Sequence, residues 1–158
     1  MTKEKKPPAL REQALACLAR REHSRAELAR KLAQSGHGKE DIAALLDDLE
    51  ARNWLSDQRF AESYVADHRA KCGPVKLAFE LRQRGITDSI IEAILADTRD
   101  DELERAREIW RKKFGTPPAN AQEKARQMRF LQGRGFGHEV LRKLLAEHAS
   151  RQTNDTSI

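Results

Sequence analysis

The chain has little of what a β-sheet, a membrane span or a metal centre requires. Only three of its 158 residues are valine. Clusters of Val, Ile and Thr are missing, which argues against a sizeable sheet. Aromatic residues make up 5% of the chain. No apolar run approaches the roughly 18 residues that a bilayer span needs, so no membrane association is expected. Residues 1–8 are basic but lack the apolar stretch of a signal peptide, and a cytoplasmic location is expected. The two cysteines, Cys17 and Cys72, have no CxxC or histidine partner at metal spacing. They read as small apolar side chains or free thiols.

Enzyme signatures are equally sparse. No GxxxxGK[ST], HExxH or GxSxG occurs. Gly133-Arg134-Gly135-Phe136-Gly137 is glycine-rich, but no strand precedes it, so it reads as a helix stop before it reads as a phosphate cradle. The five histidines are scattered, and His23 reads as a turn residue. Asp47, Asp48 and Glu50 read as a solvated helix face. The chain is expected to be a non-enzyme, with no cofactor, no metal and no small-molecule substrate.

What is abundant is helix-forming material. Ala, Leu, Glu, Lys and Arg supply 84 of the 158 residues, and 35% of the chain is charged. That bias marks an all-α protein. Leu10, Ala14, Leu15 and Leu18 share one face over about 9–20. Ser24-Arg25-Ala26-Glu27 is a capping box that opens a second helix. Further helices are expected over about 39–53, from Ser56-Asp57 through His68 to a stop at Gly73, from Pro74 to Gly85, from Thr87-Asp88, and over about 100–113, 119–132 and 137–148. Residues 1–8 and 150–158 read as flexible tails.

The period is the informative feature. Shifted by 49, Leu28, Leu32, Gly36, Ile42, Leu45 and Leu46 fall on Leu77, Leu81, Gly85, Ile91, Ile94 and Leu95. Shifted again by 50, Leu81, Gly85, Ile91, Ile94 and Leu95 fall on Leu131, Gly135, Leu141, Leu144 and Leu145. Phe60 and Tyr64 fall on Trp110 and Phe114. This predicts an elongated, curved array of three tandem three-helix repeats over 9–55, 56–98 and 99–149, with a linker at 114–119. The helix pairs around Gly36, Gly85 and Gly135 resemble helix-turn-helix units.

Charge is unevenly spread. The formal net charge is +5, from 30 basic and 25 acidic residues. Within 111–143, Arg111, Lys112, Lys113, Lys124, Arg126, Arg129, Arg134, Arg142 and Lys143 face only Glu123 and Glu139. That window suits a polyanion or an acidic protein surface. Arg69, Lys71, Lys76, Arg82 and Arg84 form a weaker group. Phe130 falls off the stripe of Ala121, Ala125, Met128 and Leu131. It either stacks on a base or partner, or packs on a neighbouring unit, and packing is the default.

Several segments resemble the RecX family. Ala19-Arg20-Arg21-Glu22-His23-Ser24-Arg25-Ala26-Glu27-Leu28 is similar to its REHS-x-x-EL signature. Leu55-Ser56-Asp57-Gln58-Arg59-Phe60-Ala61-Glu62-Ser63-Tyr64 is similar to LSD-x-RFA-x-x-Y. Gly73-Pro74-Val75-Lys76-Leu77-Ala78-Phe79-Glu80-Leu81, with Arg84-Gly85-Ile86, is similar to GP-x-x-L-x-x-EL followed by GI. Arg134-Gly135-Phe136 matches a C-terminal RGF. The resemblance spans about 9–148, while 99–120 carries no sharp motif. It implies a modulator of DNA repair and recombination that binds the RecA recombinase in its filament groove. It further implies inhibition of ATPase, strand exchange and the coprotease activity of the SOS response, with some DNA contact and no catalytic site. The expected DNA contact is weak and non-specific, and the chain is expected to be a monomer. The competing reading is a stand-alone helix-turn-helix DNA-binding regulator. The acidic helices over 39–53 and 88–98 are poor material for a major groove, which favours the first reading.

Overall fold

A computed structural model gives the fold of residues 9–155, with side chains to residue 149. Within the described residues there are nine α-helices and no strand. They are α1 (Leu10–Arg20), α2 (Arg25–Gln34), α3 (Lys39–Ala51), α4 (Asp57–His68), α5 (Pro74–Gln83), α6 (Asp88–Ala96), α7 (Glu102–Lys113), α8 (Ala121–Gly133) and α9 (His138–Asp155). The tail expected at 1–8, and residues 156–158 of the other, lie outside the described residues. α9 passes the end expected near 148, so residues 150–155 continue the helix. No Gly or Pro interrupts them, and nothing in that stretch forces a stop.

Each consecutive trio of helices encloses its own core. Ala14, Leu28, Leu32, Ile42, Leu46, Leu49 and Leu55 fill the first. Phe60, Ala61, Tyr64, Val65, Cys72, Leu77, Leu81, Ile86, Ile91 and Leu95 fill the second. Ala106, Trp110, Leu131, Phe136, Leu141 and Leu144 fill the third. The repeated positions Leu32, Leu81 and Leu131 are all 0% exposed. Burying one such leucine contributes about 1.5–3 kcal/mol. Gly36, Gly85 and Gly135 have φ of +88°, +80° and +92°. Each terminates the second helix of its unit in the left-handed conformation that other residues adopt only at a cost.

Local signals set the helix starts. Ser24 Oγ accepts from the Glu27 amide at 3.1 Å, and the Ser24 amide donates to the Glu27 carboxylate at 3.4 Å. Ser56 Oγ accepts from the Arg59 amide at 3.2 Å. Asp57 departs from the expected cap of its own helix. Its carboxylate accepts from the Arg25 amide at 2.8 Å and so caps α2 from the next unit.

The units join through their second helices. Gly73 N–H donates to the Arg134 carbonyl at 2.7 Å, and Val75 N–H to the Gly135 carbonyl at 2.9 Å. The first turn of α5 thus takes partners from the last turn of α8, positive helix end against negative end. The other joint repeats the plan with side chains. Ser24 Oγ donates to the Arg84 carbonyl at 2.7 Å, and Ala26 packs on Gly85. Arg59 pairs with Glu22 at 3.0 Å alongside. α8, α5 and α2 therefore meet end to end through the array.

Candidate functional site

The joint between the second and third units opens a groove of about 480 Å³ lined by Ala70, Lys71, Glu108, Ile109, Lys112, Lys113, Phe130 and Arg134. Four of the basic residues singled out by sequence meet here: Lys71, Lys112, Lys113 and Arg134. Glu108 is the single carboxylate of the lining. Phe130 lies at the centre of the charges. Its ring stands edge-on to Phe114, with centroids 5.5 Å apart. Lys113 Nζ lies 5.2 Å, and the Arg134 guanidinium 5.3 Å, from its centroid. The partner of Phe130 is therefore a residue of its own unit, and its half-buried ring forms a floor under two cations. That arrangement offers an apolar face ringed by positive charge, suited to an anionic ligand.

The remaining sequence candidates distribute elsewhere. Arg69 pairs with Asp101, which also holds Arg105 at 3.1 Å, so Arg69 is a joint residue. Arg82 pairs with Asp88 at 2.7 Å and Arg111 with Glu108 at 3.1 Å. The Lys76 stem packs against Gly135. Arg84 sits 4.5 Å above the Tyr64 ring in a polar cleft between the first two units. Lys124 lines a cavity with Pro117, Pro118 and Leu145. Arg142 and Lys143 flank another on α9. Among the described residues, Lys113, Lys124, Arg126, Arg129, Arg134, Arg142 and Lys143 make no ion pair within 4.0 Å. The third unit therefore presents uncompensated positive charge, in keeping with its basic window.

Three family profiles match the chain in tandem. They are the first, second and third three-helix domains of RecX, over residues 11–49, 56–95 and 100–145. The chain belongs to the RecX family. Among its relatives, the regulatory protein RecX of Leptothrix cholodnii is 46% identical over 147 residues, covering 92% of this chain and 94% of that one. The regulatory protein RecX of Chromobacterium violaceum is 48% identical over 138 residues, covering 87% and 89%. A crystal structure of RecX from Lactobacillus salivarius has the same fold, with a TM-score of 0.77 at 21% identity over 89% of this chain and 94% of that one.

The RecX signatures in this chain meet at the two joints: Gly73 and Val75 bond Arg134 and Gly135 at the second, and the rest gather at the first. Glu22, Ser24, Asp57, Arg59 and Arg84 all bridge units there. His23 lies in the turn between α1 and α2, as expected, and it is buried there. It is 1% exposed, with Nδ1 at 3.0 Å from the Arg21 carbonyl and Nε2 at 2.8 Å from Lys31 Nζ. Burial, with Arg21 and Lys31 nearby, holds its pKa below the ordinary value and keeps the ring neutral. Burial would raise the Glu27 carboxyl, but hydrogen bonds from Arg21 bring it below the usual range. Tyr64, stacked on His68 at 4.0 Å, donates its hydroxyl to Glu80. Burial and that carboxylate push Tyr64 up to about 12.

Sequence reasoning missed two features. Gln127 is buried and holds the core Trp110, whose Nε1 donates to Gln127 Oε1 at 2.9 Å, while Ala121 and Ala125 are exposed. A polar residue gives no periodicity signal, and alanine suits either face. Val75 and Phe79 lie exposed on α5, at 61% and 59%. Their spacing of four was the available signal.

Proposed function

We propose that this chain regulates RecA recombinase by binding its nucleoprotein filament and lowering its ATPase, strand-exchange and coprotease activities. In this reading it acts in the cytoplasm, as a monomer, without catalysis or cofactor. Its relatives carry the name regulatory protein RecX. The observation that carries the proposal is the basic groove around Phe130 at the second joint, where Lys71, Lys113 and Arg134 converge with one carboxylate in reach. A filament that displays acidic protein surface beside nucleic-acid phosphates offers the complementary charge. Direct DNA contact is weak, salt-sensitive and indifferent to sequence, because it rests on phosphate neutralisation.

The test is ATP hydrolysis by RecA on single-stranded DNA with increasing amounts of this chain. Hydrolysis should slow at or below equimolar ratios. Unchanged turnover over that range overturns the reading. Tight, sequence-specific DNA binding that survives high salt would support a stand-alone DNA-binding regulator instead.

A further inference from the structure

The exposed face of α5 departs from the repeat that built it. The 49- and 50-residue offsets place Arg30, Phe79 and Arg129 at one position of α2, α5 and α8. All three are exposed. The outer units fill that position with arginine, and the middle unit fills it with phenylalanine. One turn earlier, Val75 occupies the place of Ala26 and Ala125. Val75 and Phe79 are thus an i, i+4 apolar pair on a face where the array elsewhere carries alanine and arginine. Together with Trp54, they are the exposed large apolar residues among the described residues. Trp54, however, has the guanidiniums of Arg11 and Arg52 within 6 Å of its ring.

Among the described residues, no part of the array covers this face. The joints engage the two ends of α5, at Gly73 and Gly85, and leave its middle open. The surroundings are basic. Lys71 precedes the pair and Lys76 lies between, while Arg82, one turn on, is paired with Asp88 at 2.7 Å. The one carboxylate of α5, Glu80, is occupied by Tyr64. The pair also begins where the basic groove ends, because the Val75 amide is bonded to the Gly135 carbonyl, next to Arg134.

We propose that Val75 and Phe79 are the anchors of a helix-in-groove contact, inserted into an apolar, acid-rimmed groove on the recombinase protein. The identity of the partner rests on the function proposed above. Apolar anchors at i and i+4 (Val75 and Phe79) are part of the pattern by which one helix seats in a groove of another protein. An aromatic anchor bordered by charge concentrates binding energy at the centre of such a contact. A valine offers nothing to a nucleobase stack, so the pair favours a protein over a nucleic acid. The basic rim selects an acidic groove and disfavours a second copy of this basic chain.

The test uses the full chain with Val75→Ala/Phe79→Ala and, separately, Phe79→Arg, which restores the residue type of the other two units. RecA filaments on single-stranded DNA, held by a slowly hydrolysed nucleotide, are the binding target at low and high salt. Free single-stranded DNA and sedimentation of the chain alone are the comparisons. Both variants should keep the wild-type melting temperature, since the altered side chains are exposed. Both should bind filaments at least about tenfold more weakly, with the deficit persisting at high salt, because apolar burial is not screened by ions. Phe79→Leu should retain most of the affinity. Phe79→Arg separates the proposal from simple charge attraction, which that variant would strengthen. Wild-type filament affinity in the double variant overturns the proposal. So does a parallel loss on free DNA, which indicates base stacking, or a change in self-association, which indicates a second copy. If the wild-type chain binds no filament at all, the proposed function falls as well.

Discussion

Gly36 and Gly135 share one backbone conformation, with φ of +88° and +92°, and differ in what surrounds them. A Cβ on Gly36 would meet nothing within 4 Å, whereas one on Gly135 would lie 2.3 Å from Lys76 Cβ and 2.5 Å from its backbone nitrogen. Gly36→Ala should cost about 1–2 kcal/mol, the penalty of the left-handed conformation alone. Gly135→Ala should cost more and also disturb the second joint. Urea titration of the two variants checks the ranking, and equal losses would show that the joint yields without cost. Sequence periodicity located both glycines, but it could not show that one ends a helix in open space and the other under a neighbouring unit. His23 carries the second residue-scale prediction. Its neutral ring accepts from the Lys31 ammonium and donates to the Arg21 carbonyl, and protonation would set two cations against each other. The folded pKa lies below the ordinary 6.5, so the unfolded chain binds more protons below that value. This contribution to stability is therefore complete above pH 6.5 and lost as the pH falls through the folded pKa. Melting temperatures should decline from pH 7 to 5 in the wild type, and less so in His23→Gln. Parallel decline in both would remove His23 as the cause.

At the scale of elements, most of the helices were legible because each has its own punctuation: the Ser24 capping box, Ser56, Pro74 at the start of α5, and the three glycines. The joints were not legible, because their bonds link groups 32 to 63 positions apart with no local pattern. Asp57 looks like a cap for α4 and serves α2. Arg105 looks like one more charge on an amphipathic helix, yet its side chain is 11% exposed. It donates to the Arg69 carbonyl at 2.9 Å and the Cys72 carbonyl at 3.3 Å, and pairs with Asp101 at 3.1 Å. Removing it orphans those carbonyls at the end of the α4–α5 turn. Arg105→Ala should therefore cost about 1–3 kcal/mol, the usual penalty for buried polar groups left without a partner. Amide exchange should quicken around residues 69–73 and at the Gly73 and Val75 bonds that join α5 to α8. If exchange rises uniformly through the chain instead, Arg105 supports the fold as a whole and not this joint.

For the whole molecule, composition and period announced a basic helical array, but within the stronger window and the weaker group they could not separate one cation from another. The fold separates them. Arg69, Arg82 and Arg111 are spent on neighbouring carboxylates, whereas Lys71, Lys113 and Arg134 converge beside Phe130. Net charge acts at a distance and steers any anion toward the chain, so total charge and local placement must be varied separately. Two triple reversals do this with the same change in net charge: Lys71→Glu/Lys113→Glu/Arg134→Glu in the groove, and Lys124→Glu/Arg142→Glu/Lys143→Glu on the α8–α9 side. Five of these six positions are exposed, and substitutions there usually move stability by less than about 0.5 kcal/mol; Arg134 is half-buried and donates to the Lys71 carbonyl at 3.4 Å, so melting curves check that the groove set folds. If inhibition of the recombinase depends on the groove, the first set should raise the concentration needed for half-inhibition tenfold or more, and the second only by the modest factor that weaker steering explains. The salt dependence sharpens the distinction. Each single-strand phosphate that the chain no longer neutralises lowers the slope of log affinity against log salt by about 0.7, so the groove set should flatten it by roughly 2 while the other set leaves it nearly unchanged. Equal effects from the two sets would mean that the chain is recognised by its overall field. A larger effect from the second would move the contact surface to α8 and α9.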